Sequence, residues 1–194
     1  MRPVAGYNDI VVALTGASGV IYGLRLIEVV SSIGITVHTI ITENAEAILR
    51  EECGPDSLRI IEERSSHVYK QYDWSSPLAS SGFLMDAMVI CPCTVKTLCT
   101  IASGISENVV TRCAAIALRK KVPLILVLRE TPLNSIEIEC MLKASIAGAI
   151  ILPACPAFYH RPKRIDDLID FVVGKILDVL KIPHKLYKKW SLEH

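Results

Sequence analysis

Four short stretches of this chain place anion-binding or reactive side chains where an apolar run stops. The first is Thr15-Gly16-Ala17-Ser18-Gly19, which follows Ile-Val-Val-Ala-Leu and leads into Val20-Ile21-Tyr22-Gly23. Glycines let the backbone approach a ligand closely, and a helix that starts there aims free N–H groups and a positive dipole end at the same spot. A phosphate or nucleotide suits such a turn, with the Ser18 hydroxyl as a further contact and Gly23 allowing close helix packing; a plain structural turn is the alternative. The second stretch, DAMVICPCTVKT, again delivers hydroxyl groups to a helix start, at Thr94 and Thr97, and Thr94 also suits an N-cap. In the third, PLILVLRETPLN, Arg129 and Glu130 stand at the end of an apolar strand, where charges must be solvated, paired or functional. The fourth, ILPACPAFYHRPKR, is a loop stiffened by three prolines that carries Phe158, Tyr159, His160 and Arg161.

Other patterns read as ordinary. His160, between Tyr and Arg in a loop, is taken as a surface residue without a catalytic role. The Cys91-x-Cys93 pair lacks a second Cys or His pair at zinc spacing, so no metal is expected. Asp166-Asp167-Leu168-Ile169-Asp170 spells the DDxxD motif that binds magnesium in helical prenyl-diphosphate enzymes. Here those acids fall in the first turn of a predicted helix, where they suit its dipole, in a chain that is not a helical bundle.

The elements that must position these residues alternate. Strands are predicted near 9–15, 36–41, 86–91, 123–128 and 149–152. Helices are predicted near 20–33, 43–52, 56–64, 94–102, 107–120, 134–147 and 165–180. Apolar strands joined by helices imply an α/β fold, Rossmann-like and three-layered, with a mainly parallel sheet covered on both faces. Ligands in such folds bind at the carboxyl ends of the strands, which is where the glycine turn lies.

Composition narrows the function classes. The 194 residues are 51% hydrophobic, enough for one domain with a substantial core, taken here as 1–194 with an arm near 181–194. Lys and Arg number 21 against 20 Asp and Glu, so no overall field draws the protein to nucleic acid or an anionic membrane. No apolar run reaches membrane-spanning length, and seven cysteines without a signal peptide fit reduced thiols in the cytoplasm. The final Leu-Glu-His resembles an expression-vector remnant, so His194 is given no role.

Taken together, TGASGVIYGLRL, DAMVICPCTVKTL, ENVVTRCA, VPLILVLRETPL and AFYHRPKRIDDLIDFV resemble, in family order, the flavin prenyltransferases of the UbiX/Pad family, formerly described as aromatic-acid decarboxylases. The resemblance spans nearly the whole chain. It implies metal-independent transfer of a dimethylallyl group from dimethylallyl phosphate to N5 and C6 of reduced FMN, giving prenylated FMN for a partner UbiD-type decarboxylase. It also implies a homododecamer with active sites shared between subunits.

By the same resemblance, Gly16, Ala17, Ser18, Thr42, Thr94, Val95, Lys96, Thr97 and Arg129 bind FMN, Thr42 standing where the family often has serine. The prenyl donor meets Arg112, Arg119, Arg129, Glu130, Tyr159 and Lys175, with Trp74 as an aromatic neighbour. Ser18, Glu52 and Glu130 take catalytic roles, Glu130 as proton donor to phosphate and Ser18 with Glu52 at the flavin protons. Arg119 replaces a family lysine and Lys175 a common arginine, which leaves a diphosphate donor open, since Arg and Lys bind phosphate differently. Two other classes compete. One is an FMN carrier or storage protein, which would not need Arg129, Glu130 and Tyr159 clustered. The other is a flavin-dependent cysteine decarboxylase of the same fold, which expects a catalytic histidine where this chain has only His38, inside a predicted strand. A nicotinamide oxidoreductase ranks lower for want of GxGxxG.

Overall fold

The computed structural model describes residues 6–190. Its centre is a six-stranded sheet in the order β3-β2-β1-β4-β5-β6, every neighbouring pair parallel. The strands are β1 (Asp9–Leu14), β2 (Thr36–Ile41), β3 (His67–Lys70), β4 (Ala87–Cys93), β5 (Leu124–Leu128) and β6 (Ile150–Pro153). The helices are α1 (Val20–Ser32), α2 (Glu43–Cys53), α3 (Ser57–Arg64), α4 (Val95–Ala102), α5 (Val109–Lys120), α6 (Ser135–Ile146) and α7 (Ile165–Val179).

Alternation along the strands splits the core in two. Ile10, Val12 and Leu14 of β1 pack with α1, α2, α3 and α7, whereas Val11 and Ala13 face the layer of α4, α5 and α6. Parallel strands covered on both faces have no solvent side, which is why β1, β4 and β5 read as unbroken apolar runs. The α/β expectation holds.

Two elements were not foreseen. The edge strand β3, His-Val-Tyr-Lys, is mostly exposed and carries neither an apolar run nor alternation. A 3-10 turn at Pro77–Ala79 is set by the Ser76 hydroxyl, which accepts from the Leu78 N–H at 3.2 Å. β4 also runs on through Cys91-Pro92-Cys93, with a register shift against β5 between Ile90 and Cys93.

Helix starts follow their caps. The Thr42 and Thr94 side chains accept from Ala45 and Thr97 N–H, and Asn108 and Asn134 form reciprocal capping boxes with Thr111 and Glu137. α1 sits unusually close to the sheet, because a Cβ on Gly23 would lie 2.2 Å from the Cys91 carbonyl oxygen. α6 is the exception to burial: only Ala144 is enclosed, while Ile136, Ile138, Leu142 and Ile146 are exposed. The segment after α7 folds back on it as far as Trp190; residues 191–194, His194 among them, lie outside the described residues.

Candidate functional site

The strand order places β2 and β3 on one side of β1 and β4, β5 and β6 on the other. Connections therefore leave β1 and β4 in opposite directions and open a crevice at their carboxyl ends. A cavity of about 350 Å³ lies there, walled by the ends of β1, β2, β4 and β5 and by the starts of α2 and α4.

Thr15 ties the two rims of the crevice. Its buried hydroxyl donates to the Pro92 carbonyl at 2.8 Å and accepts from the Thr94 N–H at 3.0 Å. Next to it, Gly16 leaves room for α2, since a Cβ would meet that of Asn44 at 2.4 Å. Gly19, at φ 91°, makes the left-handed turn into α1. The turn is clamped by charge: the Gly19 N–H donates to Glu52 Oε2 at 2.9 Å, and Arg129 Nε donates to the Ser18 carbonyl at 3.0 Å. One donor of the α1 terminus is thus already engaged by a carboxylate.

The start of α4 is more open. Thr94 Oγ1 accepts from the Thr97 N–H at 3.1 Å and donates to Thr97 Oγ1 at 2.9 Å. Val95 and Lys96, the first two helical residues, have no acceptor within the helix, so their N–H groups can meet an anion in the cavity they line. The Lys96 ammonium pairs with Glu107 at 3.2 Å across the opening. Arg129 and Glu130 do not pair with each other: Glu130 accepts from the Thr131 N–H at 3.1 Å and remains exposed.

Of the residues assigned from sequence, the cavity gathers Gly16, Ala17, Thr42, Thr94, Val95, Lys96, Thr97, Arg129 and Glu130, with Ser18 and Glu52 bonded at its rim. The others lie apart in one chain. Arg112 and Arg119 of α5 border a second cavity of about 470 Å³, beside Ile101 and Ile105. Arg112 Nε donates to the Ala79 carbonyl at 3.1 Å and Arg119 Nε to the Ala115 carbonyl at 3.2 Å, and among the described residues neither guanidinium has a carboxylate partner. Tyr159 and Lys175 belong to an aromatic platform on α7, and Trp74 is half exposed in the loop after β3.

That platform corrects the reading of His160 as a surface residue. Its ring stacks on Phe171 at 5.3 Å and 9°, and both ring nitrogens are buried without a partner. Phe171, nearly two turns into α7, supplies the flat surface that a loop sequence does not announce.

Thr15, Asn44, Gln71, Glu107 and Asn108 also line the first cavity and were not singled out. The capping pattern Asn-Val-Val-Thr at 108–111 pointed to Asn108 as a helix start, whereas nothing in the sequence marks Gln71.

The cysteines and acids left aside stay outside this chemistry. Burial pushes the Cys91 and Cys93 thiols well up, and that of Cys113 to about 12, so none supplies a thiolate at neutral pH. Among the described residues no three His, Cys, Asp or Glu side chains gather as metal ligands. Asp167 accepts from the Lys163 and Arg164 N–H groups, and those bonds lower its pKa; Asp170 pairs with Arg25 at 2.7 Å and Asp166 with Arg164.

Comparison with known proteins places the crevice in context. The Flavoprotein family matches residues 3–177. The flavin prenyltransferase UbiX of Aquifex aeolicus is 43% identical over 186 residues, covering 94% of this chain and 98% of its own. Among solved structures, AnUbiX (PadA1) in complex with FMN and dimethylallyl pyrophosphate superposes with a TM-score of 0.91 at 34% identity, covering 95% of this chain and 98% of that one. A dodecameric FMN-dependent UbiX-like decarboxylase from Escherichia coli O157:H7 gives 0.90 at 30% identity, over 94% and 99%.

Proposed function

The chain belongs to the Flavoprotein family, among the flavin prenyltransferases of UbiX type, and from this we propose that it transfers a dimethylallyl group from dimethylallyl phosphate to reduced FMN. The observation that carries the reading is the single cavity onto which the glycine turn, the open start of α4, Arg129 and Glu130 all face. Reduced FMN supplies N5 and C6 as the atoms that accept the prenyl unit.

The residues present fit that guest. Gly16 and Ala17 bring bare backbone to the cavity wall, and the Val95 and Lys96 N–H groups with the Thr94 and Thr97 hydroxyls offer hydrogen bonds to its polar groups. Arg129, anchored on the Ser18 carbonyl at the cavity wall, is assigned to both the flavin and the prenyl donor.

Breaking the allylic C–O bond leaves its electron pair on the phosphate oxygen. Arg129, Arg112, Arg119 and Lys175 stabilise that charge, Tyr159 binds the phosphate, and Glu130 delivers a proton to the departing group. The face of Trp74 shelters the positive charge that develops on the allyl carbon. Ser18 and Glu52, bonded to the same turn, carry the protons released at N5 and C6.

Arg112, Arg119, Tyr159, Lys175 and Trp74 stand outside the crevice of their own chain, so the complete site is proposed to form between copies in a homododecamer. The exposed apolar side chains of α6 support such assembly, as does the dodecameric relative. The product is proposed to serve a UbiD-type decarboxylase in the cytoplasm.

The test mixes the protein anaerobically with reduced FMN and dimethylallyl phosphate, with the diphosphate in a parallel arm and chelator in another, and weighs the extracted flavin. Gain of one prenyl unit in the presence of chelator is expected. Unmodified flavin with both donors, despite tight FMN binding, would replace this reading with that of an FMN carrier.

A further inference from the structure

The chain does not end at α7: residues 181–190 turn back and lie against it. The point of attachment is one carboxylate. Asp178 Oδ1 accepts from Lys189 Nζ at 2.6 Å and is bonded to His184 Nε2 at 3.1 Å, while Oδ2 accepts from the Tyr187 hydroxyl. All three partners lie on the returning arm. Gly174, one turn before Asp178, is what lets the rings come so near: a Cβ there would meet the Tyr187 ring at 2.6 Å and His184 at 2.8 Å.

The arm carries this anchorage to two residues assigned to the prenyl donor. Lys175 Nζ stands 5.2 Å from the centroids of both Phe171 and Tyr187, and among the described residues no carboxylate pairs with it. Without Tyr187 the ammonium would keep one ring of its two. The ring of Tyr159 meets Phe171 edge-on at 5.9 Å and Trp190 at 5.5 Å, and Trp190 is the last described residue of the arm. Phe171 and Tyr187 themselves touch at 4.7 Å.

We propose that Asp178 is a positioning residue for prenyl transfer: it latches the arm so that Tyr187 holds the Lys175 ammonium and Trp190 holds the Tyr159 ring at the donor phosphate. The proposal rests on the functional reading above for what Lys175 and Tyr159 bind. Asp178 itself touches neither substrate. A surface ion pair with Lys189 alone would contribute little, but three donors on one carboxylate form a network in which charge-assisted bonds are the stronger members. Burial raises the carboxyl pKa, yet the bonds from Lys189, Tyr187 and His184 outweigh it and lower it to about 2, so the acceptor is ionised throughout the working range.

The test uses the full-length protein with Asp178→Asn, Asp178→Glu, Lys175→Ala and the Asp178→Asn/Lys175→Ala double variant. Asp178→Asn should raise KM for dimethylallyl phosphate about tenfold, the loss of one charge-assisted bond's worth of positioning, while FMN affinity stays unchanged. Asp178→Glu should recover part of the loss. In the double variant the two effects should be markedly less than additive, because both act through one ammonium. Equal losses of FMN and donor affinity, or full additivity with Lys175→Ala, would overturn the proposal.

A second readout needs no turnover. Acylation of Lys175 by an amine reagent, followed by peptide mass spectrometry, should speed up several-fold in Asp178→Asn. Should the unaltered protein fail to prenylate FMN, the functional reading falls by itself, and the labelling rate still decides whether the latch holds Lys175. An unchanged labelling rate would dismiss the latch whatever the enzyme does.

Discussion

The crevice at the ends of β1 and β4 and the platform on α7 both collect polar groups beside buried apolar layers, but they leave them in opposite states. At the crevice, Thr15 is fully bonded, whereas Val95 and Lys96 keep N–H groups without helical acceptors and Glu130 is bonded only to its neighbour's N–H. On the platform Asp178 is saturated by three donors and the rings touch one another in sequence. Unmet hydrogen-bonding capacity that faces an open cavity marks where a guest is received, while bonded groups, and rings sealed in as His160 is with its unpaired nitrogens, hold the receiving parts in place.

The largest effect that would sharpen this contrast is at Glu130. Glu130→Gln keeps size and exposure but removes the proposed proton-transfer group, so prenyl transfer should slow by about a hundredfold or more with FMN still bound. Single-turnover rates under anaerobic conditions measure it, and an unchanged rate would remove Glu130 from the mechanism.

Next comes the hydroxyl that bridges the two rims of the crevice. Thr15→Val strands the Thr94 N–H and leaves the Pro92 carbonyl only the longer bond from the Thr15 N–H at 3.3 Å, and should cost about 2 kcal/mol of stability with two buried side-chain bonds lost. Thr15→Ser should cost much less, both read by urea denaturation. If the two variants are equally stable, the rims of the crevice are not braced by that hydroxyl.

The smallest effect concerns acid. Asp178 is lowered in the folded chain from its ordinary 3.8 to about 2, so its contribution is complete above about 4 and disappears as the pH falls through about 2. Asp167 is also lowered, by backbone bonds from Lys163 and Arg164, so the comparison belongs in an Asp167→Asn background. Hydrogen exchange in residues 181–190 should rise across that window, and Asp178→Asn should show the raised exchange already at neutral pH. Exchange that is flat with pH and alike in both chains would remove the contrast between the two regions.

How much of this was legible in the sequence follows from where each signal lies. Ile-Val-Val-Ala-Leu, Pro-Leu-Ile-Leu-Val-Leu and their kin announced central strands because buried parallel strands are apolar on both sides. The edge strand β3 lacks that requirement, and so lacked the signal. Thr42, Thr94 and Asn134 were readable as helix starts because capping acts within three residues.

Arg112, Arg119, Tyr159 and Lys175 were found only through family resemblance, and one chain does not bring them to the crevice. The Asp178 latch was invisible for a different reason: its partners at His184, Tyr187 and Lys189 follow no helical or strand period and meet the carboxylate only because the arm doubles back. His160 shows the same limit, since the ring it lies on belongs to the next helix.

The close seat of α1 has a consequence for inheritance. A side chain at Gly23 would begin 2.2 Å from the Cys91 carbonyl oxygen, and backbone cannot swing aside as a flexible side chain would. Every single-base change that replaces a glycine introduces either a Cβ or a stop. No one-step replacement of this residue therefore spares the contact, and each that keeps the chain whole pushes α1, with the Gly19 turn at its head, away from β4.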